Sequence, residues 1–253
     1  GTEEGLYYQK DKSWARVADV PVKSLCLDDA GNIWYTDGRV IWGKKTCEPG
    51  SAIRDMLFIG DQLWLATDHG LMEGERRWTA EDGLLSNDVR SLMLDGAGHL
   101  WVATSSGINI FDRKGTWYPL TGKNGLPCED VYRIVSGPRG ERWVVMGIGA
   151  ACYANGRWEY YAGKRWLPSD EVTDIAVGSA GDAWIGTKEG ISRIERRIYD
   201  FEQKAEYFER RIAARHNRHG FVTSCHLEVP GDVNSFVYEA SDNDGLWTRD
   251  VRP

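Results

Sequence analysis

One phrase recurs along this chain. Residues 98–107 read GHLWVATSSG and residues 181–190 read GDAWIGTKEG, both of the form Gly-x-x-Trp-apolar-small-Thr-x-x-Gly. Aligned on Trp34, Trp64, Trp101, Trp143 and Trp184, the pattern extends in both directions. Val22, Val89, Val131 and Val172 stand 12 residues before four of these tryptophans, with Leu25, Leu92, Ile134 or Ile175 three residues later. Trp64 has Ile53 and Met56 in those roles, one residue closer. Gly31, Gly98, Gly140 and Gly181 sit three residues before a tryptophan, and Gly70, Gly107, Gly149 and Gly190 six residues after one. Five copies in register, spaced by 30 to 42 residues, make an internal repeat and restrict the chain to a solenoid, a propeller or a similar array.

The grammar inside each copy selects among these. An apolar run such as VRSLML ends in a turn whose glycine supplies positive φ, and a second run, LWVAT, carries the large tryptophan. A TxxG turn leads to INIF or ISRI, and a fourth run follows around Trp78, Trp117 or Trp158. No 3.6-residue period runs through a copy, so a helical solenoid is excluded. Four short antiparallel strands repeated radially predict an all-β chain folded as a β-propeller. Blades are expected near 22–46, 53–80, 89–121, 131–162 and 172–196.

The ends suggest how such a ring closes. Residues 5–17 read as the third and fourth strands of a blade, and 233–249, with Val233, Phe236, Gly245, Trp247 and Thr248, read as its first two. A composite blade of 5–17 with 233–249 gives six blades in a single domain over 1–253 and removes exposed sheet edges. The alternative is an incomplete or seven-bladed ring belonging to a larger protein. Between blades and closure, Ile198, Phe201, Ala205, Phe208 and Ile212 recur at helical spacing, and Asp200 with Gln203 resembles a capping box. This predicts one amphipathic helix over about 200–218, with 219–229 as the outer strand of the fifth blade.

Charge narrows the partners. A net charge of −7 and a pI near 5.3 argue against a sequence-independent grip on nucleic acid or on an anionic membrane. No apolar run reaches membrane-spanning length, and the opening GTEEGLYYQKDKSW lacks the pattern of a signal peptide. Cys26, Cys47, Cys128, Cys152 and Cys225 are odd in number and widely separated, which indicates mostly buried free thiols rather than a disulfide framework.

The string V-x-x-I/L…G-x-x-W-x-x-T-x-x-G, over about residues 20–196, resembles the two-component-regulator propeller repeat of bacterial periplasmic sensor domains. It has neither the Trp-Asp ending of a WD repeat nor the Ser-x-Asp-x-Gly-x-x-Trp order of a sialidase Asp box. The resemblance implies a propeller in a periplasmic or extracellular location. HNRHGFVTSC and SDNDGLWT are also similar to the junction leading into an α/α-toroid in longer propeller proteins, which implies a C-terminal domain of the same protein as a partner.

Candidate sites fall in two groups. The loops GLLSNDV, GLPCEDV and WLPSDEV place Asp88, Asp130 and Glu171 just before an inner strand, on one face around the axis. Trp166 stands there in the slot held by Gly83 and Gly125, beside Lys164 and Arg165. An exposed indole with cationic neighbours can stack on a sugar or a side chain and meet an acidic group. The second group is the non-repeating tail, where His216, His219 and His226 lie near Cys225. Three readings stand together: a basic helix end, an acid/base site or a metal site. As an acid/base site it would use His219 or His226, Tyr238, and Arg215 or Arg218 for β-elimination on a uronic-acid polymer. Asp242 and Asp244 in SDNDG read first as a hairpin turn, with calcium ligation or paired acids of a glycoside hydrolase as alternatives. No nucleotide-binding, zinc-protease or esterase signature appears, and no cofactor is expected. The leading expectation is therefore a non-enzymatic module binding a glycan or partner protein on the loop face. The alternatives are a polysaccharide lyase or glycoside hydrolase, and a structural fragment of a larger protein.

Overall fold

The computed structural model describes residues 1–44, 46–112, 114–195, 201–206, 208–209, 225–228, 236–242 and 245–251. The chain divides into two compact units, Gly1–Glu195 and Arg196–Pro253. Among the described residues the first unit is all β apart from two 3-10 turns, Ala80–Asp82 and Gly122–Asn124.

The first unit opens with a hairpin of β1 (Leu6–Lys10) and β2 (Ser13–Ala18). Five blades follow. Blade 1 has β3 (Ser24–Leu27), β4 (Ile33–Thr36) and β5 (Ile41–Trp42). Blade 2 has β6 (Ile53–Ile59), β7 (Gln62–Thr67), β8 (Gly70–Glu73) and β9 (Arg76–Trp78). Blade 3 has β10 (Val89–Leu94), β11 (Leu100–Thr104), β12 (Gly107–Phe111) and β13 (Trp117–Leu120). Blade 4 has β14 (Val131–Ser136), β15 (Arg142–Met146), β16 (Ala150–Ala154) and β17 (Arg157–Tyr161). Blade 5 has β18 (Val172–Val177), β19 (Ala183–Thr187) and β20 (Gly190–Ile194). Every pairing is antiparallel, and the inner strands β3, β6, β10, β14 and β18 neighbour one another in that order. This is the β-propeller arrangement the repeat implied.

The repeated residues owe their identity to this packing. Trp64, Trp101 and Trp143 are buried, each against the following blade: Trp64 with Leu92 and Val102, Trp101 with Ile134 and Val144, Trp143 with Ile175 and Ile185. A ring burying roughly 200 Å² at about 25 cal/mol per Å² supplies several kcal/mol to each inter-blade layer. Trp34 is half-buried against Ile53 and Met56, tilted on Phe58 at 5.3 Å. Trp184 departs from the pattern, being 47 % exposed.

The TxxG turn has an equally concrete cause. The threonine hydroxyl donates across the turn, from Thr67 to the Gly70 carbonyl at 2.6 Å and from Thr104 to the Gly107 carbonyl at 2.9 Å, with both threonines fully buried. Gly107 adopts φ +122°, and a Cβ there would stand 2.7 Å from the Leu120 carbonyl oxygen of the outer strand. Only glycine satisfies both constraints.

In the second unit, residues 201–206 and 208–209 are helical, inside the stretch 200–218 expected to form a helix. β21 (Cys225–Glu228) pairs with β22 (Phe236–Asp242), which forms a hairpin with β23 (Gly245–Val251). The described part of 219–229 is thus β21 of this sheet, and its expected place as the outer strand of blade 5 would join two separately described units. The composite blade joins residues of two separately described units and is taken up below as a proposal. Of Cys26, Cys47, Cys128 and Cys152, only Cys152 is buried; Cys26 and Cys128 are half-buried and Cys47 is exposed, so the expectation of mostly buried thiols is corrected. Burial, with Asp55 and Asp28 nearby, pushes the Cys26 thiol up to about 12. No described helix is long and apolar enough to cross a membrane.

Candidate functional site

The loops that carry the chain from one blade to the next share a face with the TxxG turns, and backbone hydrogen bonds tie the two together. Ser105 N donates to the Asp88 carbonyl at 3.2 Å, Gly147 N to the Asp130 carbonyl at 2.8 Å, and Lys188 N to the Glu171 carbonyl at 3.1 Å. Asp88, Asp130 and Glu171 are therefore fixed in equivalent places beside the inner strands.

Their carboxylates are not idle. The inner strands β6, β10, β14 and β18 each have a register shift just after the first residue, and Arg54 and Arg90 occupy the bulges of β6 and β10. Arg54 pairs with Asp88 at 2.7 Å, and Arg90 bridges Asp88 at 2.9 Å and Asp130 at 2.7 Å. The chain of charges thus runs across blades 2, 3 and 4. Burial works to lower the Arg90 pKa, and the hydrogen bonds from Asp130 and Asp88 outweigh it and raise it. Glu171 pairs with Lys188, and this contact raises the lysine pKa. Tyr132, the bulge residue of blade 4, is 47 % exposed with the Arg90 guanidinium 4.3 Å from its ring centre.

One position further along, the inner strands are stapled by polar side chains. Asp55 accepts from Ser24 Oγ of blade 1 and from Ser91 Oγ and Leu92 N of blade 3, each at 3.0 Å. Arg133 of blade 4 pairs with Asp174 of blade 5 at 2.8 Å. The sequence reading singled out Asp88, Asp130 and Glu171 and missed Arg54, Asp55, Arg90 and Tyr132. The missed signal was present, because Asp55, Ser91, Arg133 and Asp174 share one register two residues after the first residue of each inner strand.

Trp166 lies toward the outer strands, away from that charge chain in register. It is 40 % exposed, its ring set edge-on to Tyr161 at 5.3 Å and 5.2 Å from the Arg165 guanidinium. Its backbone is held on both sides: its amide donates to the Gly163 carbonyl at 2.9 Å, and its carbonyl accepts from Ser192 Oγ at 2.7 Å. Lys164 and Arg165 are exposed in the same loop. The slot has a structural logic. Gly83 and Gly125 are left-handed, at φ +107° and +89°, and face the outer-strand rings of Trp117 and Trp158 from the following blade. Blade 5 has three described strands, and its entry loop instead turns at Gly163, φ +73°, and brings an indole of its own.

Of the tail candidates, Arg215, Arg218, His216, His219 and Asp244 lie outside the described residues. His226 pairs in register with Glu239, Tyr238 with Leu227, and Asp242 with Gly245. No group of three or more His, Cys, Asp or Glu among the described residues could hold a metal ion.

The family model described as "Two component regulator propeller" matches residues 83–106. Residues 83–106 thus match one copy of that repeat. The matched residues run from the loop glycine before blade 3 to its TxxG turn, the segment in which the Val, Leu, Gly, Trp and Thr positions all coincide with the repeat. Among solved structures, the extracellular domain of the putative hybrid two-component system BT3049 from B. thetaiotaomicron is similar, with a TM-score of 0.61 and 17% identity over 97% of this chain and 36% of that one. PorZ, an essential surface component of the type-IX secretion system of Porphyromonas gingivalis, gives 0.58 and 13% over 99% of this chain and 43% of that one. A streptogramin B lyase gives 0.52 and 13% over 93% and 86%. At these identities the likeness is one of fold alone. The chain spans about a third of the length of the BT3049 domain. No curated protein matches it by sequence.

Proposed function

We propose that this propeller is a non-catalytic recognition module that binds a glycan or a partner protein on the loop face around the axis, outside the cytoplasm. One observation carries the reading: Tyr132 and Trp166 are exposed aromatic rings on firmly held backbone, Tyr132 in the bulge of an inner strand against Arg90 and Trp166 in a loop, edge-on to Tyr161. Large apolar rings held open to water are ready-made stacking platforms, because their ordering cost is met before the ligand arrives. The acidic residues beside them are neutralised by arginine or lysine, so they serve to hold the platform. The extracellular placement draws support from the repeat and from the BT3049 domain, which is itself extracellular.

Glycan-array and pull-down screening of the wild-type chain, repeated with Trp166→Ala and Tyr132→Ala, tests the reading. A ligand whose binding falls about tenfold or more in either variant supports it. Binding that both variants retain in full counts against the loop face. The closure of the ring by 5–17 with 233–249 belongs to the same proposal, supported by the open apolar faces at both ends of the blade series, Leu25, Leu27 and Ile33 in blade 1 and Trp184 and Ile191 in blade 5. Its test is a cysteine pair placed across the two segments in a chain whose native cysteines are replaced, where failure to cross-link under oxidation speaks against the shared blade.

A further inference from the structure

Blades 3 and 4 part toward their outer strands and leave an open cleft of about 620 Å³, within the size range of small-molecule sites. Blade 3 lines it with Trp101, Ile110 and Tyr118, which stand in one cross-strand row over β11, β12 and β13. Blade 4 contributes the cross-strand pair Arg142 and Tyr153, and His99, Lys114 and Asn124 complete the rim.

The polar groups of this cleft are one-sided. Its Asp95 carboxylate, the Oδ1 of Asp112 and the Asn124 carbonyl oxygen are already engaged. Asp95 accepts from the Ala97 and His99 amides at 2.9 Å, from the Trp101 indole at 3.0 Å and from the Arg142 guanidinium at 3.0 Å. Asp112 accepts from the Lys114 and Thr116 amides at 2.7 and 3.0 Å. The carbonyl oxygen of Asn124 is turned to the Thr121 amide. The residues lining the cleft with hydrogens to give are the exposed Lys114, Asn124 and Tyr118, while Arg142 already donates to Asp95. On a chain of net charge −7, a concavity that keeps the Lys114 ammonium and the neutral donors of Asn124 and Tyr118 open, with the Arg142 charge already met by Asp95, favours an anionic ligand. Tyr118, 52 % exposed, offers a ring face beside those donors.

The occupant is small. β13 is the edge of its sheet, and Pro119 at its centre has no N–H to give, which disfavours pairing with an added peptide strand. The cleft between blades 2 and 3 shares Lys114 but is otherwise differently furnished, with Glu73 on its wall and Arg76 laid on the Trp78 ring at 3.5 Å. We infer that the cleft between blades 3 and 4 is a binding site for a small anionic ring compound, a carboxylated sugar or an aromatic acid. It is independent of the loop face.

Titration calorimetry with D-glucuronate, benzoate and, as a neutral control, D-glucose tests this. One of the two anions is expected to bind with a millimolar Kd or tighter, at least about tenfold better than glucose, and which one binds identifies the source of the charge. Lys114→Gln and Tyr118→Ala, both at exposed positions, are each expected to weaken it about fivefold or more, while Trp166→Ala leaves it unchanged. No binding of either anion, glucose binding as well as glucuronate, or wild-type affinity in both cleft variants would overturn the inference.

Discussion

Asp95 shows how one side chain organises a blade. It closes the hairpin between β10 and β11, holds the wedge indole of Trp101 and reaches Arg142 of the next blade. Against the desolvation that raises it, these hydrogen bonds bring its pKa down to about 2 from 3.8. A carboxylate held lower in the folded state stabilises the fold fully above the unfolded value, and that contribution is lost as pH falls from about 4 through 2. The shift corresponds to about 2 kcal/mol. Asp95→Asn is therefore expected to cost a few kcal/mol at pH 7 and to flatten the loss of stability between pH 4 and 2, as read by urea melts across that range. An unchanged acid limb would remove Asp95 from this role. Asp28 repeats the arrangement on Trp34, and its pKa is also depressed. In blade 4 the hairpin reads GPRGE, no aspartate stands there, and the buried Trp143 indole N–H has no partner.

At the scale of the element, the TxxG turn and the hairpin tip separate two uses of glycine. Gly107 is left-handed and also crowded by the Leu120 carbonyl, whereas Gly98 is left-handed, φ +82°, with nothing within 4 Å. Gly98→Ala is expected to cost about 1 kcal/mol, and Gly107→Ala about 3 kcal/mol, because the second change adds a backbone clash to the dihedral strain. Thermal melts of the two variants decide it; equal losses would mean that the close approach carries no weight. Both glycines were legible in the repeat, since a position that recurs as glycine in four of the five copies must answer to backbone geometry. Which of the two is crowded was not legible, because the crowding carbonyl belongs to the next strand, which joins the sheet one hairpin later.

Across the whole unit of five blades, apolar layers and polar staples do different work. The layers between blades hold Trp64, Trp101 and Trp143 and supply most of the burial. Asp55, Ser91 and Arg90 then fix the inner strands against one another at single hydrogen-bond distances. Asp55→Ala leaves Ser24 Oγ, Ser91 Oγ and Leu92 N without their acceptor, an expected cost of roughly 2–4 kcal/mol. Combined with Ser91→Ala the cost should be less than the sum, since both changes remove the same contact. A double-mutant cycle that proves additive would show the staple to be water-filled rather than direct.

The amino-acid order by itself determined the blade. A two-residue alternation, glycines at left-handed turns and a tryptophan at one register are local requirements, and they repeat because every blade meets the same neighbours. The order also marked Asp88, Asp130, Glu171 and Trp166 as departures worth following. The tertiary structure alone decided what those residues do: Arg90 and Asp130 are 40 positions apart in sequence and 2.7 Å apart in space. The cleft between blades 3 and 4 likewise belongs to the tertiary structure, since Asp95 and Arg142 in its wall are 47 positions apart and pair at 3.0 Å across the blade boundary. Local conformation is written in short stretches of sequence, whereas partners across a blade boundary are chosen by packing.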